Sequence, residues 1–157
     1  MGYTEIVKHT IDTGGHPPMR QALRPTPLAR RPQVEAIVND QLAAGIIEPS
    51  RSPYAVNLVL VAKHDGSLRA CCDYRSLNAA TKRDAYPLPR MEQCLDALGG
   101  NNKVFSTLDL RSGYHQVAMD PRDKEKTSFI CHMGSFCFRT MSVGLVNAGV
   151  TFQRLMD

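Results

Sequence analysis

STLDLRSGYHQV, at residues 106–117, is the stretch that decides the fold. It continues the apolar run KVFSTLDL (103–110), which predicts a buried strand that leads directly into a tight turn. Asp109 then lies at the end of an apolar strand, where a lone carboxylate needs a partner or a metal ion. Gly113 allows the backbone of the turn to approach a ligand closely. Two interpretations stay open: Asp109 caps the turn, or it supplies a hard oxygen ligand to Mg²⁺.

Strands are predicted on both sides of this stretch. VNLVLVAK and LRACCDYR are joined by an Asp-Gly pair, a strong signal for a β-hairpin. TSFICHM and SFCFRTM form a second predicted hairpin around Gly134, and YTEIVKHTI near the start alternates as a short strand.

Helices are predicted between the strand pairs. VEAIVNDQLAAG follows Pro32 and ends at Gly45, while SLNAA, MEQCLDALGG and NAGVTFQRLMD give three further helical patterns. The Gly-, Pro- and Arg-rich segment before Pro32 is expected to be extended and exposed. The mixed order of elements indicates an α+β fold. Since the last helical pattern has no C-cap, we expect a truncated domain.

Composition is that of an ordinary globular chain: 157 residues, 43% hydrophobic and 22% charged, with a net charge of +4. Much of the positive charge lies at 61–90, where six Lys or Arg residues stand against three Asp residues. A basic stretch suits a phosphate-bearing partner, although a solvated hairpin surface explains the charge equally well.

The five cysteines favour a reducing compartment, and no pair has C-x-x-C spacing. We interpret them as small buried residues and reject a zinc site at Cys131, His132 and Cys137, because a fourth ligand is missing. Neither a signal peptide nor a membrane-spanning run is recognisable. We therefore expect an intracellular protein, cytoplasmic or nuclear, that is not secreted and has no membrane partner.

The chain resembles the reverse transcriptase of gypsy-type LTR retrotransposons over nearly its whole length. The motifs occur in the same order and spacing as in that family: TIDTGGHPPMRQ at the start, GIIEPSRSPYA at 45–55, VLVAKHDGSLRACCDYRSLN at 59–78, AYPLPR at 85–90, STLDLRSGYHQV at 106–117, KTSF at 126–129 and MSVGLVNAGVTFQRLMD at 141–157.

The resemblance implies a right-hand polymerase fold, with fingers and a truncated palm. Residues 1–30 would be an extended lead-in, 31–90 the fingers and 91–157 part of the palm. The implied activity of the parent protein is RNA-directed DNA polymerisation, by two-metal nucleotidyl transfer with Mg²⁺ or Mn²⁺. Its implied partners are dNTPs, an RNA or DNA template with its primer, and the rest of a Pol polyprotein, including palm, thumb and RNase H.

The resemblance also implies roles around the turn. Asp109 matches the first catalytic aspartate, which binds both metal ions, and the backbone carbonyl of Leu110 would complete one metal shell. The amides of Ser112 and Gly113 would face the triphosphate. Tyr114 matches the position whose ring excludes a 2′-hydroxyl, with an ordinary core aromatic as the alternative. His115 and Gln116 are assigned only to packing or backbone support.

Further residues are implied to contact nucleotide or nucleic acid. Lys63 and Arg69 flank the fingers hairpin that closes over the triphosphate. Arg75 supports the template path or the hairpin base, or else forms an ion pair with Asp73 or Asp84. The remaining implied contacts are Arg111 and Val143 for the nucleotide, and Pro87, Pro89, Gly144, Asn147 and Phe152 for template and primer.

The chain departs from the family pattern in two loops and in one larger respect. Val143 stands where the family usually has Phe, and Gly149 replaces a Pro, which puts nucleotide positioning in doubt. The Tyr-x-Asp-Asp motif that supplies the other palm carboxylates is absent, so we expect this chain alone not to polymerise. The alternative is a non-catalytic, nucleic-acid-binding remnant of a retroelement.

Overall fold

The structure is a computed structural model that describes residues 2–62, 64, 68–100 and 103–157. Within these residues, strands lie at Thr4–His9 (β1), Ile47–Pro49 (β2), Val56–Ala62 (β3), Leu68–Cys72 (β4), Val117–Met119 (β5), Phe129–Cys131 (β6) and Gly134–Phe138 (β7). Helices lie at Arg31–Ala43 (α1), Arg75–Ala80 (α2), Met91–Leu98 (α3) and Ala148–Met156 (α4). Short 3₁₀ turns occupy Leu28–Arg30, Gly113–Gln116 and Lys124–Thr127.

A five-stranded mixed sheet has the order β2-β7-β6-β3-β4. Both predicted hairpins are confirmed: β3 pairs with β4 from Leu58 opposite Cys72 onward, and β6 pairs with β7. Gly134 opens β7 with a φ of 130°, a backbone conformation that glycine adopts without strain. The Asp-Gly turn predicted between β3 and β4 lies outside the described residues.

Two hairpins that are distant in sequence are joined by a parallel pairing of β3 with β6, and β2 closes the sheet against β7. The core beneath the sheet is apolar. Phe129 is fully buried and lies 5.7 Å and 5.5 Å, ring to ring, from Phe136 and Phe138. Val34 and Val38 of α1 pack into the same cluster, and the predicted helix is confirmed.

A second, two-stranded sheet pairs β1 in parallel with β5, and α4 packs against β1. His9 at the end of β1 is buried, and its Nδ1 lies 2.7 Å from Oγ1 of Thr151 on α4. This small sheet places the chain from 111 to 119 beside α4. The short strand near the start was predicted, but its partner was not.

The segment before α1 is hydrogen-bonded to strand β3. Asn57 on β3 is buried, and its Nδ2 donates to the carbonyl of Ala22 at 2.9 Å while its Oδ1 accepts from the amide of Arg24 at 2.8 Å. The segment is largely exposed, as expected, but these bonds fix it against β3, and it ends in the 3₁₀ turn at Leu28–Arg30.

The prediction of a buried strand at 103–110 is wrong. These residues contain no helix, strand or turn and all are exposed, with Val104 at 86% and Leu108 at 90%. A strand needs a neighbour to accept and donate its backbone hydrogen bonds. No described segment lies alongside this one to provide them, so its β-forming sequence stays unpaired.

The cysteines are free thiols, as expected, but their burial differs. Cys131 and Cys137 are buried, and burial raises the pKa of both thiols. Cys94 is exposed on α3, so the prediction of five buried cysteines is wrong there. No helix among the described residues is both long and apolar enough to cross a membrane.

Candidate functional site

A cavity of about 530 Å³ opens beside the turn that follows residue 110. It brings together seven of the residues predicted to contact metal, nucleotide or nucleic acid, from segments that are far apart in the chain. Its lining consists of Leu108, Asp109, Leu110, Ser112, Gly113, Tyr114, His115, Val143, Phe152 and Met156.

The backbone of this turn is constrained at Ser112. Among the described non-glycine residues, Ser112 alone has a positive φ, at 53°. This left-handed conformation costs roughly 1–2 kcal/mol for a residue with a Cβ. The amide of His115 donates to the carbonyl of Ser112 at 2.9 Å, and Nε2 of Gln116 donates to the carbonyl of Arg111 at 2.9 Å. Strain maintained in this way is typical of functional loops.

Glycine is required at position 113 because the ring of Phe152 packs closely against it, and not because of the φ angle of Gly113. A Cβ added there would lie 3.2 Å from Cε2 and Cζ of Phe152, closer than such contacts normally are. The same Phe152 ring packs on Tyr114 at 5.5 Å between centroids with a tilt of 59°. A Cβ on Gly149 would lie 3.6 Å from the Tyr114 hydroxyl. Helix α4 therefore supports both the turn and the tyrosine from below.

The carboxylate of Asp109 is exposed and lines the cavity. Its predicted place at the end of a buried strand is wrong, because that strand does not form in the described chain. The structure also gives no support to the capping interpretation: no hydrogen bond or ion pair involving Asp109 is found among the described residues. Asp109 is thus an exposed carboxylate at the cavity wall, without a partner among the described residues.

His115 closes one side of the cavity and packs flat on Phe138, with ring centroids 5.9 Å apart and an interplanar angle of 5°. Burial lowers the pKa of His115, so the ring is neutral near pH 7. This placement agrees with the packing role assigned to it from the sequence.

Two asparagines hold the loop before α4. Nδ2 of Asn78 donates to the carbonyl of Gly144 at 2.8 Å, and its Oδ1 accepts from the amide of Val146 at 2.9 Å. Asn147 bonds in the same way to the backbone at 82–84, at 2.8 Å and 3.1 Å. This places Val143 at the cavity. Sequence reasoning missed Asn78, because its partners lie more than sixty residues away.

Arg75 forms one of the two ion pairs considered for it from the sequence. Its Nε and Nη2 atoms each donate to a carboxylate oxygen of Asp73 at 2.7 Å. This fork lowers the pKa of Asp73, and the side chain of Arg75 remains 81% exposed. The ion pair with Asp73 is therefore formed, while the alternative pair with Asp84 is not: Arg154 binds that carboxylate instead, at 2.8 Å.

The other predicted contacts do not line the cavity. Arg69 is exposed on β4, Arg111 is exposed at the start of the turn, and Pro87 and Pro89 are exposed in the irregular segment before α3. Lys63 lies outside the described residues.

No group of three His, Cys, Asp or Glu side chains is placed to hold a metal ion in the described part of the chain. Asp73 is engaged with Arg75 and Asp96 lies on the exposed helix α3, so neither joins Asp109 at the cavity. The cavity thus presents one carboxylate, a strained backbone turn and an aromatic support.

Comparison with known proteins gives a consistent result. The family model described as reverse transcriptase (RNA-dependent DNA polymerase) matches residues 61–157. The chain is 38% identical to the Retrovirus-related Pol polyprotein from transposon gypsy of Drosophila melanogaster; the match covers 99% of this chain and 16% of that polyprotein.

Solved structures show the same fold. The prototype foamy virus protease–reverse transcriptase superposes with a TM-score of 0.84 at 26% identity, over 99% of this chain and 21% of that one. A foamy viral protease–reverse transcriptase solved in complex with an RNA/DNA hybrid superposes with a TM-score of 0.82 at 21% identity, over 99% and 21% of the two chains.

Proposed function

The chain belongs to the reverse transcriptase (RNA-dependent DNA polymerase) family, and from that premise we propose that it forms the nucleotide-binding part of an RNA-directed DNA polymerase within a retrotransposon Pol polyprotein. The observation that most directly supports this proposal is the cavity lined by Asp109, the 112–113 turn and Tyr114. Residues 31–90 would be the fingers and 91–157 part of the palm. The polyprotein would act inside the cell.

Asp109 is proposed as one ligand of the catalytic metal site. Its carboxylate is exposed, lines the cavity and has no protein partner in the described chain, and Mg²⁺ prefers hard oxygen ligands of this kind. The carbonyl of Leu110 is proposed as a second oxygen. When bound, Mg²⁺ or Mn²⁺ would polarise phosphoryl oxygens and offset developing negative charge.

The chain's own groups are proposed to position the nucleotide. The strained turn presents the amides of Ser112 and Gly113 to phosphate oxygens, as backbone nests do for anions. The Tyr114 ring, supported by Phe152, would lie against the sugar and leave no room for a 2′-hydroxyl. Val143 completes the pocket with a smaller side chain than an aromatic residue would provide.

Positive charge at the fingers hairpin is proposed to contact phosphates. Arg69 is exposed on β4, and Lys63 belongs to the same hairpin in sequence. An exposed cation such as Arg69, which forms no ion pair with another described residue, is available to a polyphosphate. Arg75 is already paired with Asp73, which favours a supporting role at the base of the hairpin.

The test is primer extension by a longer protein that carries this chain together with the remaining palm and the thumb. We expect Mg²⁺-dependent extension on an RNA template, abolished by Asp109→Asn. Asp96→Asn makes the same change on exposed α3 and should leave extension intact. If Asp109→Asn retained full activity, the assignment of the metal ligand would be wrong.

A second candidate is nucleic-acid binding without catalysis, for these 157 residues alone. It is favoured because Asp109 is the one carboxylate among the described residues that lines the cavity, and two-metal catalysis needs more than one. We expect the isolated chain to bind a primer–template duplex with an affinity that falls steeply with salt, and not to extend the primer. Salt-independent binding would contradict this.

A further inference from the structure

The buried imidazole of His9 contacts the helix that supports the cavity. Its Nδ1 atom lies 2.7 Å from Oγ1 of Thr151 in α4, and Thr151 is also buried. The next residue of that helix is Phe152, whose ring packs on Tyr114. Because successive residues of a helix are rotated by about 100°, α4 presents Thr151 to β1 and Phe152 to the cavity.

The backbone of His9 is attached to the segment that carries the tyrosine. Its carbonyl accepts from the amide of Asp120 at 2.9 Å, and β1 pairs in parallel with β5. Strand β5 directly follows the 3₁₀ turn Gly113–Gln116, which contains Tyr114. His9 therefore contacts both the strand that follows the tyrosine and the helix that lies beneath it.

The chain just after β1 is anchored to the loop that follows β5. The amide of Ile11 donates to Oδ2 of Asp123 at 2.8 Å, and Nζ of Lys126 donates to the carbonyl of Ile11 at 2.6 Å. Lys126 and Asp123 also form an ion pair at 2.7 Å. These bonds fix the backbone from which the His9 ring extends to α4.

We propose that His9 is a positioning residue, which holds Phe152 against Tyr114 through its hydrogen bond to Thr151. Without that bond α4 is able to shift, and the tilted packing of the two rings, 5.5 Å apart, loosens. The consequence for sugar selection rests on the proposed function, in which the Tyr114 ring excludes a 2′-hydroxyl. The positioning of the rings does not.

Fluorine NMR tests the positioning without any enzymatic activity. In the chain labelled with 3-fluorotyrosine, which has five tyrosines, Tyr114→Phe identifies the signal of interest and Phe152→Leu shows that it responds to the neighbouring ring. Thr151→Val removes the hydroxyl at nearly constant size and should move this signal by more than its linewidth, whereas Thr151→Ser should leave it near the wild-type position. Thr81→Val is the matched control, because it removes a buried hydroxyl that donates to the carbonyl of Leu77 in α2, and it should not move the signal.

A double-mutant cycle assigns the effect to the His9 bond. His9→Leu removes the same bond from the other side and should also move the Tyr114 signal. Combined with Thr151→Val, it should give less than the sum of the two separate shifts, because there is one bond to lose. Strictly additive shifts would show that the two residues act independently.

Sugar selection tests the consequence for the reaction. In the longer protein that carries the remaining palm and the thumb, Thr151→Val should lower the preference for a deoxynucleotide over its ribonucleotide, as a ratio of kcat/KM values, about fivefold or more. Thr81→Val and Thr151→Ser should retain the preference. A smaller folded fraction lowers both kcat/KM values equally, so a loss of stability alone does not change this ratio.

The outcomes separate this inference from the proposed function. A Tyr114 signal that Thr151→Val leaves in place, or that Thr81→Val moves equally, overturns the positioning. If Tyr114→Ala lowers the deoxynucleotide preference but Thr151→Val does not, the inference fails while the proposed function stands. If Tyr114→Ala itself leaves the preference unchanged, the role proposed for Tyr114 fails, and the NMR result still decides whether His9 positions the rings.

Discussion

Acidification should destabilise the chain through His9, which joins β1 to α4. The imidazole is 1% exposed, and its Nδ1 lies 2.7 Å from Oγ1 of Thr151. Burial lowers its pKa to about 4 from a usual value of 6.5, against a smaller opposing effect from the carboxylate of Asp123. The folded chain is therefore more stable with the His9 ring neutral than with it protonated.

The sign and size follow from proton linkage. Because the pKa of His9 is lower in the folded chain, the unfolded chain takes up a proton first as the pH falls. Its contribution is therefore present above a pH of about 6.5 and is lost as the pH falls toward the folded pKa of about 4. Between pH 7 and pH 5 these two values predict a loss of about 2 kcal/mol in the free energy of unfolding. His115, whose pKa is also lowered by burial, adds a loss of the same sign.

The assay is urea unfolding at pH 7, 6 and 5, followed by far-UV circular dichroism because the chain has no tryptophan. His9→Gln keeps a polar group near Thr151 but removes the titration, so its stability should fall less with pH than that of the wild type. His16→Gln, which removes an exposed imidazole, serves as the matched control. If His9→Gln loses as much stability as the wild type between pH 7 and pH 5, the reasoning fails.

Two further substitutions probe the support of the site. Thr127→Val removes a buried hydroxyl that donates to the carbonyl of Lys124 at 2.6 Å and accepts from the amide of Phe138 at 2.9 Å. It should cost about 2–4 kcal/mol by urea unfolding, because two buried groups lose their partner. The same change at exposed Thr10 should stay within about 0.5 kcal/mol, and equal losses at both positions would contradict the buried network. Gly113→Ala should cost about 1–3 kcal/mol by pushing on Phe152, and Phe152→Leu in the same chain should recover part of it. Strictly additive losses in that double-mutant cycle would show that the two residues are not in contact.

Local pattern was sufficient for much of the fold. The β3–β4 and β6–β7 hairpins, α1 with Pro near its start, and the short helices α2 and α3 all follow from turn residues and apolar spacing within about fifteen residues. The turn at Ser112 and Gly113 was also recognisable, although its strain falls on Ser112 and the need for glycine comes from Phe152.

The failed prediction at 103–110 has a physical cause. Apolar, β-branched sequence shows only that a segment is able to form a strand, because the hydrogen bonds that make it one belong to a neighbour. The parallel partner of β1 and the long-range bonds of Asn78 were invisible for the same reason.

The sequence by itself determined the family, the hairpins and helices, and most of the residues at the cavity, because those depend on local conformation and on motifs that keep their order. Only the tertiary structure decided that Asp109 is exposed and has no partner in the described part of the chain, that Arg75 is engaged by Asp73, and that Phe152 dictates glycine at 113. These outcomes depend on which surfaces meet across many residues of chain. Burial and contact are properties of the packed whole rather than of any single segment.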